Sequence, residues 1–256
     1  MTEDSSVLTR PTAAPDQVVA YGDAPDQVAD VRFGSSGAEA QPLVVIVHGG
    51  FWRPQYGRDQ LGPMAAALAA AGWTVAAIGY RRIPANPDAS VDDVVLALER
   101  LPARVSRHDG RVIVIGHSAG GHLALLAALR PQPALAGVLA LAPAADLRLA
   151  HELALGNGAV AAYLGDDPNV REDLDPQRLP SPAVATRLLH GDDDAVVPLV
   201  VSESYHAAHP DVSLQRLDCG HFALIDPQSA AWSGVVRELG WLSGMAESEI
   251  ARHAQG

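Results

Sequence analysis

The chain runs from Arg111-Val112-Ile113-Val114-Ile115 through Gly116-His117-Ser118-Ala119-Gly120 into Gly121-His122-Leu123-Ala124-Leu125-Leu126-Ala127-Ala128-Leu129. An apolar, β-branched run reads as a buried strand, and the Ala/Leu-rich run after it reads as a helix that Pro131 stops. Between the two there is no length for a loop. The backbone must turn sharply, and the small residues Gly116, Ala119 and Gly120 leave room for strained backbone and for strand packed closely on helix. Ser118 then projects its hydroxyl at the top of a sheet, which is the setting of a nucleophile elbow. A plain Gly-rich turn would also satisfy the pentapeptide, so the reading depends on the rest of the chain.

The rest of the chain supplies the sheet. Val18–Tyr21 and Val28–Phe33 read as an antiparallel edge hairpin. Strands over 43–47, 73–79, 111–115, 136–142, 184–190 and 212–217 then alternate with helices near 59–71, 88–107, 118–130, 199–208 and 228–245. Ser90 or Asp88 is the expected cap of the second helix. Strand–helix alternation of this kind predicts an α/β fold, with a mostly parallel sheet and helices on both faces. A length of 256 residues fits one domain, and 48% hydrophobic residues can build a large core. Residues 1–16 are polar and are expected to be loosely held. Between Pro143 and Ser181 no strand pattern appears, and so long a structureless loop is improbable. Short helices are expected there, at 148–155 and 158–164, with residues 144–181 lying over the site as a small cap. Leu147, Leu149, Leu153, Leu155, Tyr163 and Leu164 exceed what a solvated loop needs, so part of this insertion must pack on something.

Three segments add chemistry to the elbow. His48-Gly49-Gly50-Phe51-Trp52 follows the strand Leu43–Val47, and adjacent glycines there let backbone N–H groups face a developing oxyanion. A further donor is expected from the N–H after the nucleophile, that of Ala119. Strand 184–190 ends in a turn bearing Asp192, Asp193 and Asp194. Asp218-Cys219-Gly220-His221-Phe222 forms a short loop after strand 212–217. Only His206, His209, His221 and His253 follow those carboxylates. His206 and His209 fall in a helix and its exit, and His253 in a polar tail, so His221 is the one on a loop directly after a strand. The order Ser, Asp, His along the chain is the one expected beside a G-x-S-x-G elbow.

Other chemistries are disfavoured. The formal charge is −12 and no basic patch stands out, so nucleic acid is not an expected partner. All 18 basic residues are Arg, and a chain without Lys has no Schiff-base or Ser–Lys mechanism. The lone Cys219 makes no intramolecular disulfide and reads as a small buried residue. An acidic N-terminus without an apolar h-region, and the lack of any 18-residue apolar run, predict a cytoplasmic protein that does not engage a membrane. A homodimer is one assembly such a chain could form.

These residues carry a family likeness from about residue 20 to 245. Tyr21-Gly22 with Gln27 and Asp30, His48-Gly49-Gly50-Phe51-Trp52-Arg53, Gly79-Tyr80-Arg81, Gly116–His122, Asp194 with Val197-Pro198, and Gly220-His221-Phe222 resemble the α/β-hydrolase superfamily. Within it the chain looks most like the esterase and kynurenine formamidase (arylformamidase) group. Related lipases carry a third Gly where this chain has Phe51. The resemblance implies Ser118 as nucleophile, His221 as base and Asp194 as acid. Asp194, unlike Asp192 and Asp193, matches the family's Gly-x-x-Asp-x-x-Val-Pro spacing counted from Gly191. The N–H groups of Gly50, Phe51 and Ala119 would form the oxyanion hole. Trp52, Tyr80 and His117 are candidate substrate-binding residues, and His48, His117 and His122 also look like braces near the elbow. The expected activity is hydrolysis of a small ester or activated amide, with N-formylkynurenine as one case, needing neither metal nor organic cofactor. The rivals are a prolyl-oligopeptidase-type peptidase, for which the chain lacks a propeller, and a catalytically silent ligand-binding homologue.

Overall fold

The computed structural model describes residues 3–244. Eight strands form one sheet in the order β1-β2-β4-β3-β5-β6-β7-β8. They are β1 Gln17–Ala20, β2 Val28–Arg32, β3 Leu43–Val47, β4 Val75–Ile78, β5 Val112–His117, β6 Leu135–Leu141, β7 Ala185–Gly191 and β8 Ser213–Leu217. β1, β2 and β4 pair antiparallel, and every pairing from β4 through β3 to β8 is parallel. A parallel sheet must be covered on both faces, and β3 shows why the sequence demands it: all five of its residues are buried. Val45 and Val47 pack into the cluster built with α2 (Pro87–Arg100) and α3 (Ala119–Ala127). Val44 and Ile46 pack on the opposite face with α1 (Gly62–Ala70) and α7 (Trp232–Ser243).

Three element ends differ from expectation. Asn86 rather than Ser90 or Asp88 precedes α2, with Pro87 in the first turn, and no side chain caps the helix. Proline is preorganised for that position, and its missing N–H needs no cap. Ser90 Oγ instead donates to the carbonyl of Arg81 at 2.6 Å. The same helix stops at Arg100 and tightens into a 3₁₀ turn at Leu101–Ala103, where Pro102 cannot continue the α-helical bonding. The last helix starts at Trp232, after a 3₁₀ turn at Phe222–Ile225. Met245, at the expected end of that helix, and His253 lie outside the described residues.

The insertion after β6 carries α4 (Leu147–Glu152) and α5 (Leu155–Leu164), and left-handed backbone at Gly156, Asn157 and Gly158 breaks the first turn of α5. Leu147, Tyr163 and Leu164 are buried, whereas Leu153 is 44% exposed. Asp175 ties the insertion's two ends, accepting from the backbone N–H of Leu147 at 2.9 Å and of Arg148 at 3.3 Å. The segment read as loosely held is also fixed from residue 3 onward. Val7 is buried within a 3₁₀ turn, and Arg10 makes a two-point ion pair with Asp226. An apolar side chain with a core to enter and a cation with a fixed acceptor outweigh the polar composition. Among the described residues no helix is long and apolar enough to cross a membrane.

Candidate active site

The strand order brings the site together. β4 lies to one side of β3 and β5 to the other, so the chain reverses direction between β3 and β5, where open α/β sheets bind ligands at their carboxyl edge. Val47 pairs with Gly116, which sets the glycines after β3 beside the turn after β5. A Cβ on Gly49 would come within 2.9 Å of Ser118 Cβ. At the sheet's other edge Gly191 pairs with Leu217, so the loops after β7 and β8 also lie side by side.

Ser118 sits between β5 and α3 with φ 57° and ψ −120°, a region that non-glycine residues seldom enter. Such strain costs on the order of 1–3 kcal/mol and survives only where the surroundings impose it. Here they do. The Ser118 N–H donates to Leu141 O at 2.8 Å, and its carbonyl accepts from Gly121 and His122. A Cβ on Gly120 would lie 2.1 Å from Val47 O, and one on Gly116 would lie 2.2 Å from Gly120 O. Gly120→Ala should therefore destabilise the protein by about 1–3 kcal/mol, as an overpacked core does. Chemical denaturation checks this, and an unchanged midpoint would contradict the packing described.

Asp194 and His221 meet: Nδ1 of the buried His221 lies 2.6 Å from Asp194 Oδ2. A carboxylate there makes Nδ1 the donor and leaves Nε2 with its lone pair. Asp194 Oδ1 accepts from the N–H groups of Val196 at 2.9 Å and Val197 at 2.8 Å, which fixes the carboxyl plane. Burial pushes the Asp194 carboxyl up, but hydrogen bonding to His190 and His221 and the Val197 N–H outweigh it and hold the group well below the usual range. Asp192 instead pairs with Arg216 at the surface, and Asp193 is fixed through its N–H to Cys219 O. Of the three carboxylates, Asp194 is the one that meets His221. His190 and Glu3 join the pair from outside the sequence motifs. His190 Nε2 stands 3.4 Å from Asp194 Oδ2 and also reaches Val197 O, while Glu3 accepts from the backbone N–H of His221. Burial holds the Cys219 thiol up at about 11, so it stays protonated at neutral pH.

The turn after β3 is left-handed at three successive residues, Gly50 (φ 104°), Phe51 (φ 54°) and Trp52 (φ 55°). The N–H groups of Gly50, Phe51 and Ala119 make no backbone hydrogen bond among the described residues. Gly49, Gly50, Phe51, His117, Ser118 and His221 line one cavity of about 90 Å³, with Tyr56 and Phe222 on its wall. On the other side of Ser118 a cavity of about 10 Å³ lies between Phe51, Trp52, Ala119 and the insertion residues Ala150, Leu155 and Val160.

The three candidate substrate contacts part company. His117 lines the larger cavity, and its Nε2–H donates to His221 O at 3.1 Å. Trp52 lines the smaller one, its ring stacked on Tyr163 at 4.5 Å. Tyr80 lines neither and is corrected to a core brace. It is wholly buried, its hydroxyl donates to His48 O at 3.0 Å, and its ring stacks on His48 at 4.4 Å. Burial lowers His48 and His117 to about 3 and His122 to about 4, so all three are neutral braces at pH 7.

Residues 29–147 match the BD-FAE family model. Over 95 residues the chain is 40% identical to the probable carboxylic ester hydrolase LipM of Mycobacterium tuberculosis, covering 35% of this chain and 22% of that protein. Over 109 residues it is 35% identical to the kynurenine formamidase of Danio rerio, covering 42% and 36% of the two chains. The matched stretches thus span well under half of either curated relative. Esterase B from Lactobacillus rhamnosis, solved with a tributyrin phosphonate inhibitor, superposes with a TM-score of 0.75 at 19% identity, over 98% of this chain and 93% of that one. That likeness is one of fold.

Proposed function

We propose, on the premise that this chain is an α/β-hydrolase distantly related to esterases and kynurenine formamidases, that it hydrolyses a small carboxylic ester or activated amide through an acyl-enzyme on Ser118. The observation that carries the reading is the Asp194–His221 pair, 2.6 Å apart, whose imidazole opens onto the same cavity as Ser118. His221 Nε2 takes the hydroxyl proton as Ser118 Oγ attacks the carbonyl, and Asp194 stabilises the imidazolium that forms. The N–H groups of Gly50, Phe51 and Ala119 receive the oxyanion, which is worth most in a site closed to water. The imidazolium gives its proton to the leaving alcohol or amine, and water then releases the acyl group by the same steps in reverse order.

Cavity sizes support a narrower substrate class within this reading. A water-sized group needs about 10–15 Å³, so the cavity of about 10 Å³ takes no more than the hydrogen of a formyl or the methyl of an acetyl group. The larger cavity, walled by Phe51, Tyr56 and Phe222, suits an aryl leaving group, and N-formyl-aryl amides such as N-formylkynurenine belong to that class. Turnover of p-nitrophenyl acetate and of N-formylkynurenine, with fluorophosphonate labelling of Ser118, tests the proposal. Silence in all three would leave the ligand-binding homologue.

The insertion supplies one wall of the small cavity, so it should set acyl preference and not the chemistry. Acetyl is expected to exceed octanoyl at least tenfold in kcat/KM. Leu155→Ala with Val160→Ala should shift that ratio toward octanoyl by about tenfold, or 1.4 kcal/mol, with Ser118 labelling retained. An equal fall on every substrate would point to a fold defect and defeat this assignment.

A further inference from the structure

We propose that Glu3 is a positioning residue that clamps the acid-bearing loop to the base-bearing loop. This inference rests on the hydrolase reading above. One carboxylate bridges two loops far from it in the chain. Glu3 Oε1 accepts from the N–H of Ala195 at 2.9 Å, and Oε2 accepts from the N–H of His221 at 3.0 Å. Ala195 directly follows Asp194, so the two bonds seize the residue after the acid and the base itself. Charge-assisted bonds to backbone N–H groups are shorter and roughly twice as strong as neutral ones.

The loops are shaped to receive it. A Cβ on Gly220 would stand 2.3 Å from Glu3 Oε2, so only glycine before His221 lets the carboxylate approach. The segment that carries Glu3 is anchored independently of that contact, by buried Val7 and by the Arg10–Asp226 pair just beyond the His221 loop. Leu8 of the same segment lines the cavity that holds Ser118 and His221. Residues 3–10 therefore lie across the acid–base pair as a strap, with a carboxylate at one end and an ion pair at the other.

Two functions follow from the geometry. The Asp194–His221 distance depends on two separate loops, and the clamp couples them into one unit. A misplacement of about 1 Å at such a pair can cost on the order of 10²-fold in rate. The clamp also places a second carboxylate on the backbone of the residue that becomes an imidazolium.

The test is Glu3→Gln, which keeps the side-chain length but sets an amide NH₂ against one of the two N–H donors. The readouts are kcat per fluorophosphonate-labelled Ser118, KM, and the downfield proton resonance of His221 Nδ1–H, identified by its loss in His221→Gln. Glu3→Gln should lower kcat on p-nitrophenyl acetate 10- to 100-fold, leave KM within about threefold, and broaden or shift that resonance. A kcat within twofold of wild type with an unmoved resonance overturns the clamp. So does a lower thermal midpoint with kcat per labelled site unchanged, because that assigns Glu3 to stability alone. A wild-type protein without hydrolysis defeats the hydrolase reading instead, and the resonance, which needs no turnover, then decides the clamp by itself. A wild type showing neither turnover nor the resonance defeats both.

Discussion

Ser118→Ala should lower kcat by on the order of 10⁴-fold or more while the fold survives. The two halves of that result have separate causes. Members of a nucleophile–base–acid unit act together, so removing the nucleophile costs about as much as removing all three and leaves only what the oxyanion donors and binding supply. The turn itself does not need the hydroxyl. It is held by the backbone of Ser118, through its N–H to Leu141 O and its carbonyl to the N–H groups of Gly121 and His122. Alanine meets the same strained φ and ψ as serine, so the thermal midpoint should move by no more than a few degrees. Retention of more than a tenth of wild-type activity would remove Ser118 as nucleophile. A collapse of the midpoint would mean that the hydroxyl itself carries a structural bond.

Much of the architecture could be read from the chain because it is written in local, periodic patterns. The run Leu43–Val47, short, largely β-branched and apolar at every position, reads as a strand buried on both faces, and it is one. The short helices of the insertion follow from length, since so long a loop without structure is improbable in a compact domain. Of these, α5 keeps helical backbone only from Ala159 to Leu164, because Gly156, Asn157 and Gly158 are left-handed. Ser118, Asp194 and His221 each follow a strand at the carboxyl edge; strand order sets the β7 and β8 loops side by side and leaves β6 between them and the Ser118 turn.

What escaped has the opposite character. Glu3 meets His221 across 218 positions, and a lone acid in a polar segment has no period to reveal it. His190 stands four residues before Asp194 at the end of β7, but its ring bonds to Val197 in the following loop and to Ser202 on α6 (Val200–Ala208), contacts that exist only in the folded chain. Tyr80 follows β4 at the carboxyl edge, but it does not wall the site. Strand alternation no longer governs side-chain direction once the strand has ended, and stacking on His48 turns the ring into the core.

Asp194→Asn should cost about 10⁴-fold in kcat, whereas Asp192→Asn and Asp193→Asn should stay within about twofold of wild type. The amide can still accept from the Val196 and Val197 N–H groups through Oδ1, so the loop keeps its shape. At the other atom an NH₂ now faces His221 Nδ1. A donor there favours the tautomer protonated on Nε2, which cannot take the proton of Ser118. Asp192 loses only an ion pair with Arg216, whose partners are 55% and 39% exposed, and such surface pairs are worth at most about 1 kcal/mol. Asp193 contributes its backbone N–H, which the substitution keeps. The pH dependence separates this from a charge effect on folding. The carboxyl of Asp194 is depressed in the folded protein, so its stabilisation is fully present above the ordinary carboxylate pKa and is lost only as pH falls through the lowered value. Between pH 5 and 8 Asp194 stays ionised, and the gap between wild type and Asp194→Asn should persist across that window. If Asp193→Asn proved the worst of the three, or if the gap closed by pH 5, Asp194 would not be the residue that orients His221.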